Sequence, residues 1–417
     1  MNQRLFRPIG LLIAPLLLVG QSPPAGPPAR LSPAQWREDV AFFGKELAAR
    51  HNNLFFHLSR ADFERQIRDL SDAAATVSDI EMKAGLLRIM ASVGDAHSWI
   101  EPFPASRQLE LRVRRFPEGW YGIEASGEMA DAVGARLVSV AGVPAEEAVR
   151  RLLPFVAQQN PIQTEQAQAN LLIVPRALEA AGLPVHGDTV DFEFARGGRT
   201  FTIQASSPKR PEPGEWSRRP DIRRTPPGAS FQVPLSQSDP NVYYWFRFLQ
   251  PSNTLYIQYN DCLEDRERPM KQFAAEVARI IAGKQPARIV VDLRNNRGGN
   301  SRLIHPLVEV LRGQKNRVFV AIGRGTAGSG AFAMVELKDQ ARAKLVGEPT
   351  AEKPNIYGDQ HFFFLPNSRL RVVYSTRYFR FVKDADPPWW APDQRVDTTA
   401  ADFLAGRDPV LEWIERQ

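Results

Sequence analysis

Residues Gly323–Lys353 read GRGTAGSGAFAMVELKDQARAKLVGEPTAEK, and this segment defines the architecture of the region around it. A glycine-rich turn precedes an apolar helical pattern, Ala331–Lys338, and a short apolar run, Lys344–Val346, comes next. The pattern predicts a turn, a helix and a strand in that order. Ser329 stands at the end of the turn, and Lys353 follows one helix and one strand later. This layout is typical of hydrolases in which a lysine activates a serine.

Strand and helix patterns alternate over the whole C-terminal part of the chain. The predicted strands are Thr254–Tyr259, Arg288–Leu293, Val318–Ile322 and Lys344–Val346, and the predicted helices are Met270–Ala282, Leu303–Leu311 and Ala331–Lys338. This alternation indicates that residues 241–417 form an α/β domain with a mostly parallel sheet. Ligands of such sheets bind at the carboxyl ends of the strands.

Two glycine-rich turns, Asn295–Asn300 and Gly323–Gly330, each follow one of these strands. Backbone N–H groups at such turns can stabilise negative charge. In acyl transfer that charge is an oxyanion, and one well-placed donor contributes about 3–4 kcal/mol. Gly298, Gly299 and Gly330 are therefore candidates for an oxyanion hole, with Ser329 as the nucleophile. A helix-capping serine and a surface lysine would give the same local pattern.

The glycines of the second turn also allow a different interpretation. Gly323, Gly325 and Gly328 satisfy G-x-G-x-x-G between a strand and a helix, and Glu348 follows about 20 residues later, as in dinucleotide-binding oxidoreductases. However, the unit lies deep in the chain, and this reading gives the first glycine-rich turn no role. We expect no cofactor.

Residues 1–20 have the composition of a secretory signal peptide. Arg4 and Arg7 precede an apolar run, Ile9–Val19, and a small polar segment follows. An apolar run of about a dozen residues is shorter than the roughly 20 that span a bilayer. We expect an exported protein, periplasmic or secreted, with no stable membrane span after the signal is removed.

Residues 31–105 are predicted to form a helical domain. Ser32, Ser59 and Ser78 have the spacing of helix N-caps, and each precedes apolar residues that recur at helical intervals. Residues 207–240 are rich in proline and arginine without an apolar period, which predicts a linker.

Residues 106–206 contain alternating apolar runs around a predicted helix near Ala145–Leu153, which indicates a β-rich domain. Its residues Gly119, Trp120, Tyr121 and Gly122 look like the peptide-end loop of a PDZ-like module. Such a module binds an extended peptide by adding it to a sheet edge. A small mixed sheet without a ligand is the alternative.

The composition restricts the classes of partner. Lys+Arg of 53 against Asp+Glu of 47 gives a net charge of +6, and the positive residues are scattered, so we expect no nucleic-acid partner. The six histidines lack the paired spacing of a metal site, and we expect no metal. His97, in Gly94–Ser98, could reach a cleft, but a hydrogen-bonded structural histidine is the preferred interpretation. Cys262 is the single cysteine and cannot form an internal disulfide.

Several motifs together resemble the tail-specific (C-terminal processing) serine peptidases, whose relatives include tricorn core protease and interphotoreceptor retinoid-binding protein. They extend over nearly everything after the signal: Gly94–Ser98, Arg288–Gly299, Thr326–Gly330, Gly347–Thr350, Lys353–Asn355 and Gly406–Leu411. The resemblance implies a crotonase-like ββα spiral as the catalytic domain, beside the helical and PDZ-like domains, and a serine–lysine dyad.

The resemblance also assigns individual residues. Lys353 takes the position of the family's lysine, Gly298 and Gly299 match its oxyanion-side glycines, and Asp339 matches an acidic position after the nucleophile. The family's pattern is Thr-x-Ser, which places the serine at Gly328, whereas this chain has it at Ser329. The supporting positions after the lysine are Asn355 and Tyr357, and Tyr357 stands where some members have glutamine.

Two functions follow from the resemblance. The chain is either an exported serine peptidase that cleaves polypeptides, or a non-catalytic relative that binds peptides or small hydrophobic ligands. One residue of displacement at the start of a helix turns a side chain by about 100°, so the position of the Ser329 side chain decides between them.

Overall fold

The structure is a computed structural model that describes residues 30–101, 103, 108–185, 187–207, 233–314 and 318–417. The predicted signal peptide and most of the predicted linker lie outside the described residues. Within the described ranges, every helix is too short or too polar to cross a membrane.

The described residues form a mixed α/β structure. The helices are α1 (Pro33–Arg50), α2 (Arg60–Ala73), α3 (Asp79–Ser92), α4 (Ala145–Leu152), α5 (Pro161–Leu172), α6 (Pro175–Ala180), α7 (Met270–Lys284), α8 (His305–Arg312), α9 (Ser329–Ala341), α10 (Ala400–Leu404) and α11 (Pro409–Glu415). The strands are β1 (Trp99–Ile100), β2 (Leu111–Phe116), β3 (Gly119–Ala125), β4 (Arg136–Val140), β5 (Val143–Pro144), β6 (Thr189–Arg196), β7 (Arg199–Ser206), β8 (Tyr244–Leu249), β9 (Thr254–Tyr259), β10 (Arg288–Asp292), β11 (Val318–Ile322), β12 (Lys344–Gly347), β13 (Asn355–Phe364), β14 (Arg371–Arg380) and β15 (Gln394–Arg395).

The predicted alternation in the C-terminal part is confirmed. The strands form a sheet of order β15-β12-β11-β10-β9-β8, which is parallel except where β8 pairs antiparallel with β9. Every residue of β9 and β11 is buried, because both faces of the sheet are covered. The loops after β10, β11 and β12 therefore meet at one edge of the sheet, as expected for candidate site residues in such loops.

The predicted N-terminal helices are also confirmed by their caps. Ser32 and Ser78 form capping boxes with Gln35 and Glu81, and Ser59 accepts a hydrogen bond from the backbone of Asp62. The hydroxyls satisfy N–H groups that have no partner within the helix, which fixes where each helix begins.

The middle of the chain forms an antiparallel sheet of order β2-β3-β4-β6-β7. It carries the predicted helix near Ala145, as α4, and two further helices, α5 and α6, that the strand pattern did not reveal. Its buried residues and those of α1–α3 belong to one continuous hydrophobic cluster. The division into domains stays a prediction, and this shared core indicates that the helical and β-rich segments fold as a unit.

A long antiparallel hairpin, β13–β14, extends the third sheet, whose order is β1-β14-β13. Trp99 and Ile100 pair with Val373 and Val372, so the hairpin is attached to the segment that follows α3. The hairpin begins directly after Lys353, which brings the N-terminal part of the chain to the candidate site.

Candidate active site

The two glycine-rich turns are tied to each other at the edge of the parallel sheet. The Thr326 hydroxyl donates to the carbonyl of Leu293 (2.9 Å), and the amide of Ala327 donates to the carbonyl of Asn296 (2.9 Å). A Cβ at Gly325 would lie 2.4 Å from the carbonyl oxygen of Arg294, so only glycine permits this approach.

This packing removes the support for a dinucleotide site. The turn that would surround a pyrophosphate is filled by the neighbouring turn at Arg294. Glu348, the residue expected to bind a ribose, forms an ion pair of 2.8 Å with Arg114.

Ser329 is the first residue of α9, and its half-buried side chain is directed at the other turn. Its hydroxyl donates a hydrogen bond of 2.6 Å to the carbonyl oxygen of Gly299. The N–H groups of Gly298 and Gly330 donate to the Asn296 side chain and to Ala327, each at 3.0 Å. No hydrogen bond of the described residues uses the Gly299 N–H. The oxyanion hole stays a prediction, and forming it requires the Gly299 carbonyl to turn away from the serine.

Gly328 shows why the serine is one position later than the family pattern. Its backbone has φ 55° and ψ −131°, a region that side chains rarely adopt, and a Cβ there would lie 2.8 Å from the carbonyl oxygen of Arg297. Its N–H donates to Glu352 at 2.5 Å. A serine at position 328 does not fit this turn.

Moving the hydroxyl to the family position is expected to fail. We predict that Gly328→Ser lowers the free energy of unfolding by about 1–3 kcal/mol, because the new Cβ forces a strained turn. Urea denaturation measures the change. The control is Gly313→Ser, where φ is −76° and nothing lies within 4 Å of the added Cβ, and it should change stability by less than about 0.5 kcal/mol. Equal effects of the two substitutions would contradict the strain argument.

Lys353 lies at the site but makes an ion pair with another residue. Its side chain is 15% exposed, and Nζ is 2.5 Å from Oδ2 of Asp386, whose side chain is 60% exposed. Ser329 and Lys353 are both described, and no hydrogen bond joins their side chains. The serine–lysine dyad therefore stays a prediction, and it requires Lys353 to leave Asp386.

A buried acid–base pair lies beside the serine turn. Glu352 is 5% exposed, and its Oε2 is 3.8 Å from Nε2 of His97. Burial raises the pKa of Glu352, against the opposing effects of His97 and the Gly328 N–H. His97 Nδ1 and Glu352 Oε1 are buried without a hydrogen-bond partner among the described residues. Among the described residues the Nδ1 atom of His97 thus lacks the hydrogen bond expected of a structural histidine, and that interpretation of His97 stays a prediction.

The position of His97 is fixed by a buried carboxylate two residues earlier. Asp95 accepts hydrogen bonds from His51 (3.1 Å), from the Ser98 hydroxyl (2.5 Å) and from the Ser375 hydroxyl (2.7 Å), while its other oxygen accepts from the His97 amide (2.9 Å). Burial acts to raise the pKa of Asp95, but these hydrogen bonds outweigh it and lower the pKa. The network attaches the histidine loop to β14.

The supporting residues expected from the resemblance have different surroundings. Asp339 is exposed on α9, ten residues and therefore about 15 Å beyond Ser329, so it does not support the site directly. The Tyr357 hydroxyl accepts a hydrogen bond from Asn53 (3.2 Å). Asn355 bonds the backbone of Val382 and Ala385 at 2.9–3.0 Å and thereby orients the loop that carries Asp386.

The predicted peptide-binding residues Gly119–Gly122 lie on β3, an inner strand of its sheet. Among the described residues, the edge strands of this sheet are β2 and β7, so a peptide cannot add to the sheet at β3 itself. A cavity of about 270 Å³ adjoins Gly119 and Trp120 and is also lined by Arg115 and Arg136. Peptide binding here stays a prediction.

Glu352 also makes a testable contribution to stability. A carboxyl whose folded pKa lies above its ordinary value of 4.5 stabilises the fold at low pH and loses that contribution as pH rises through the folded pKa. We predict that Glu352→Gln has a higher Tm than the parent protein at pH 8 and an equal Tm near pH 4. Glu64→Gln, at an exposed glutamate, is the control and should show no such difference. A lower Tm of Glu352→Gln at pH 8 would contradict this assignment.

Comparison with known proteins finds similar solved structures. No protein-family model and no curated protein sequence matches the chain. Mature CPAF in complex with lactacystin matches with a TM-score of 0.63 and 13% identity over 92% of this chain and 97% of that chain. Uncomplexed mature CPAF gives 0.61 and 12%, over 92% and 96%. The photosystem II D1 C-terminal processing protease gives 0.42 and 13%, over 90% and 98%.

The structural neighbours include a C-terminal processing protease, the kind of protein that the sequence resembles, and the likeness to CPAF extends over nearly the whole chain. At 12–13% identity the likeness concerns the fold. The assignment of chemistry to this chain depends on its own residues.

Proposed function

We propose that this chain is an exported serine-type peptidase that cleaves polypeptides, with Ser329 as the nucleophile. The observation that carries the proposal is a cavity of about 130 Å³ at the carboxyl edge of the parallel sheet. His97, Glu352 and Lys353 line it together with Ala327, two residues before Ser329. A general base and a carboxylate thus line the cavity from separate loops, and the turn that carries the nucleophile reaches the cavity at Ala327; acyl transfer requires these three kinds of group.

Two candidate bases line the cavity. Lys353 is the base expected from the sequence, and it is held by Asp386. His97 is favoured by the geometry, because its Nδ1 has no partner and its Nε2 faces Glu352. In this arrangement the imidazole takes the hydroxyl proton as the oxygen attacks the peptide carbonyl, and Glu352 stabilises the imidazolium that forms. The proton then passes to the leaving amine.

The test is labelling with a serine-reactive fluorophosphonate, followed by mass-spectrometric identification of the modified residue. Ser329 is the expected site. Labelling should fall at least about 100-fold in His97→Gln and persist in Lys353→Met if the histidine is the base, and the reverse result identifies the dyad. Modification of another serine instead of Ser329 would overturn the proposal. Peptide turnover without modification of any serine would also overturn it.

The assignment of domains is part of the same proposal. We assign residues 241–417 to a crotonase-like catalytic domain and residues 106–206 to a PDZ-like domain, beside the helical segment 31–105. The six-stranded sheet and the five strands β2, β3, β4, β6 and β7 support this assignment.

A non-catalytic peptide-binding function is the second candidate, and one contact favours it. The Ser329 hydroxyl is engaged by the Gly299 carbonyl, and the family's serine position holds Gly328. A protein that binds peptides without turnover or labelling would fit this candidate.

A further inference from the structure

The wall of the site cavity that faces Glu352 comes from helix α5 and the two residues before it. Polar side chains of this segment are fixed to the site loops. Gln159 accepts a hydrogen bond from the Ala96 amide (2.9 Å), Asn160 donates to the Thr350 carbonyl (3.1 Å), and Gln166 donates to the Arg324 carbonyl (2.6 Å). These contacts attach the segment to the histidine loop and to the loops after β11 and β12.

Gln163 lines the same cavity and is the exception. Its Oε1 is buried, and no donor among the described residues reaches it. Oε1 of Glu352, a residue that is 5% exposed, is also buried and has no hydrogen-bond partner among the described residues. Buried polar atoms in folded proteins are nearly always hydrogen-bonded, so these two unmatched oxygens, beside the unmatched His97 Nδ1 at the same cavity, indicate a ligand that supplies donors.

The charged groups at the cavity restrict which kind of ligand group can bind there. Lys353 is already paired with Asp386, so its ammonium group does not serve the two acceptors. A carboxylate ligand would place further acceptors against Gln163 Oε1 and Glu352 Oε1. An apolar group would leave these two oxygens without a hydrogen bond. The complementary ligand is a group with several N–H donors, and a primary amide and an ammonium group both provide them.

We infer that Gln163 and Glu352 form a substrate subsite that selects a residue with an N–H-donating side chain, either glutamine or lysine. This inference rests on the proposed function, because it assigns a preference to the same site. Gln163 acts in it as a specificity-determining residue, through a hydrogen bond accepted by Oε1.

The experiment uses peptides of one alanine–serine background in which a single Gln, Lys or Met is moved through successive positions. Methionine matches the length of both side chains without donating. We expect kcat/KM to be at least tenfold higher for the Gln or Lys peptide than for the Met peptide at one fixed position relative to the cleaved bond. The ratio should fall below about threefold in Gln163→Leu, through a loss of kcat/KM for the Gln or Lys peptide.

Two variants keep the test independent of a folding defect. Gln163→Glu retains an acceptor and should keep the preference for lysine, whereas Asn170→Leu, at an exposed position of the same helix, should leave all ratios unchanged. Whether glutamine or lysine is preferred identifies the donor group. Equal kcat/KM for the three peptides, or an unchanged ratio in Gln163→Leu, overturns the inference.

Equilibrium binding of the same peptides to Ser329→Ala separates this inference from the proposed function. If the parent protein cleaves none of the peptides but Ser329→Ala binds the Gln or Lys peptide at least tenfold more tightly than the Met peptide, the subsite is supported and the peptidase function is not. Equal binding of the three peptides would contradict the subsite, whether or not the parent protein cleaves peptides.

Discussion

Replacement of Ser329 by alanine is expected to lower kcat/KM for peptide hydrolysis by about 10⁴-fold or more. Removal of a serine nucleophile eliminates the covalent pathway and leaves only the contribution of binding and the oxyanion donors. The substitution should change the free energy of unfolding by less than about 0.5 kcal/mol, because the half-buried hydroxyl makes one hydrogen bond, to the Gly299 carbonyl. Steady-state kinetics and urea denaturation measure the two quantities.

Ser301→Ala is the matched control for this result. Ser301 begins the short helical turn after the first glycine-rich turn, Asn295–Asn300, and should be replaceable without loss of turnover. Hydrolysis that survives in Ser329→Ala would remove this residue from the mechanism. A large loss of stability in Ser329→Ala would show that the hydroxyl has a structural role at the start of α9.

Removal of Asp408 is expected to cost about 3–5 kcal/mol of stability, as is typical when one partner of a buried ion pair is lost. Arg294 follows β10, and its guanidinium group binds both oxygens of Asp408 (2.7–2.8 Å) and the carboxylate of Asp292. Asp292 is fully buried and also accepts a hydrogen bond from the Tyr256 hydroxyl (2.7 Å). Asp408→Ala leaves Arg294 with half of its partners.

Thermal and urea unfolding measure this loss. Asp397→Ala removes the partner of Arg395 in an exposed ion pair, with side chains 44% and 64% exposed, and should cost less than about 1 kcal/mol. If the two variants were equally stable, the buried network would not hold the first glycine-rich turn in place.

The same network predicts how stability changes in acid. Burial acts to raise the pKa of Asp408, but the charge and hydrogen bonds of Arg294 outweigh it and lower the pKa below the ordinary value of 3.8. A carboxyl with a lowered folded pKa stabilises the fold above its ordinary pKa and loses that contribution as pH falls through the folded pKa. The parent protein should therefore lose stability below about pH 4, and Asp408→Asn should show a flatter acid limb.

Strands and helices of the parallel sheet could be predicted because their residues alternate between long apolar runs and amphipathic patterns. The helix α5 could not, since its buried residues include Thr164 and Gln168 beside Ile162 and Leu172 and therefore form no apolar stripe. The hairpin β13–β14 was missed for a related reason. Its exposed half carries Phe362 and Phe364, 57% and 42% exposed, so polarity does not mark its outer face.

For the candidate site, local spacing was sufficient to propose Ser329 and the glycine turns, because they belong to strand–turn–helix units that the sequence itself specifies. Lys353 was proposed from its place after the next strand, β12. His97, Gln163 and Glu352 come from distant segments, and no periodicity relates them. The Gly94–Ser98 motif was visible, but its meaning depended on what lies opposite His97.

The sequence by itself determined the order of the elements, the glycine turns at the ends of β10 and β11, and the serine at the start of α9, because backbone conformation and apolar periodicity are local properties. Only the tertiary structure decided that Gly328 excludes a side chain, that Lys353 pairs with Asp386 and that His97 faces a buried Glu352. Those outcomes depend on distances and burial between segments far apart in the chain, which no local pattern encodes.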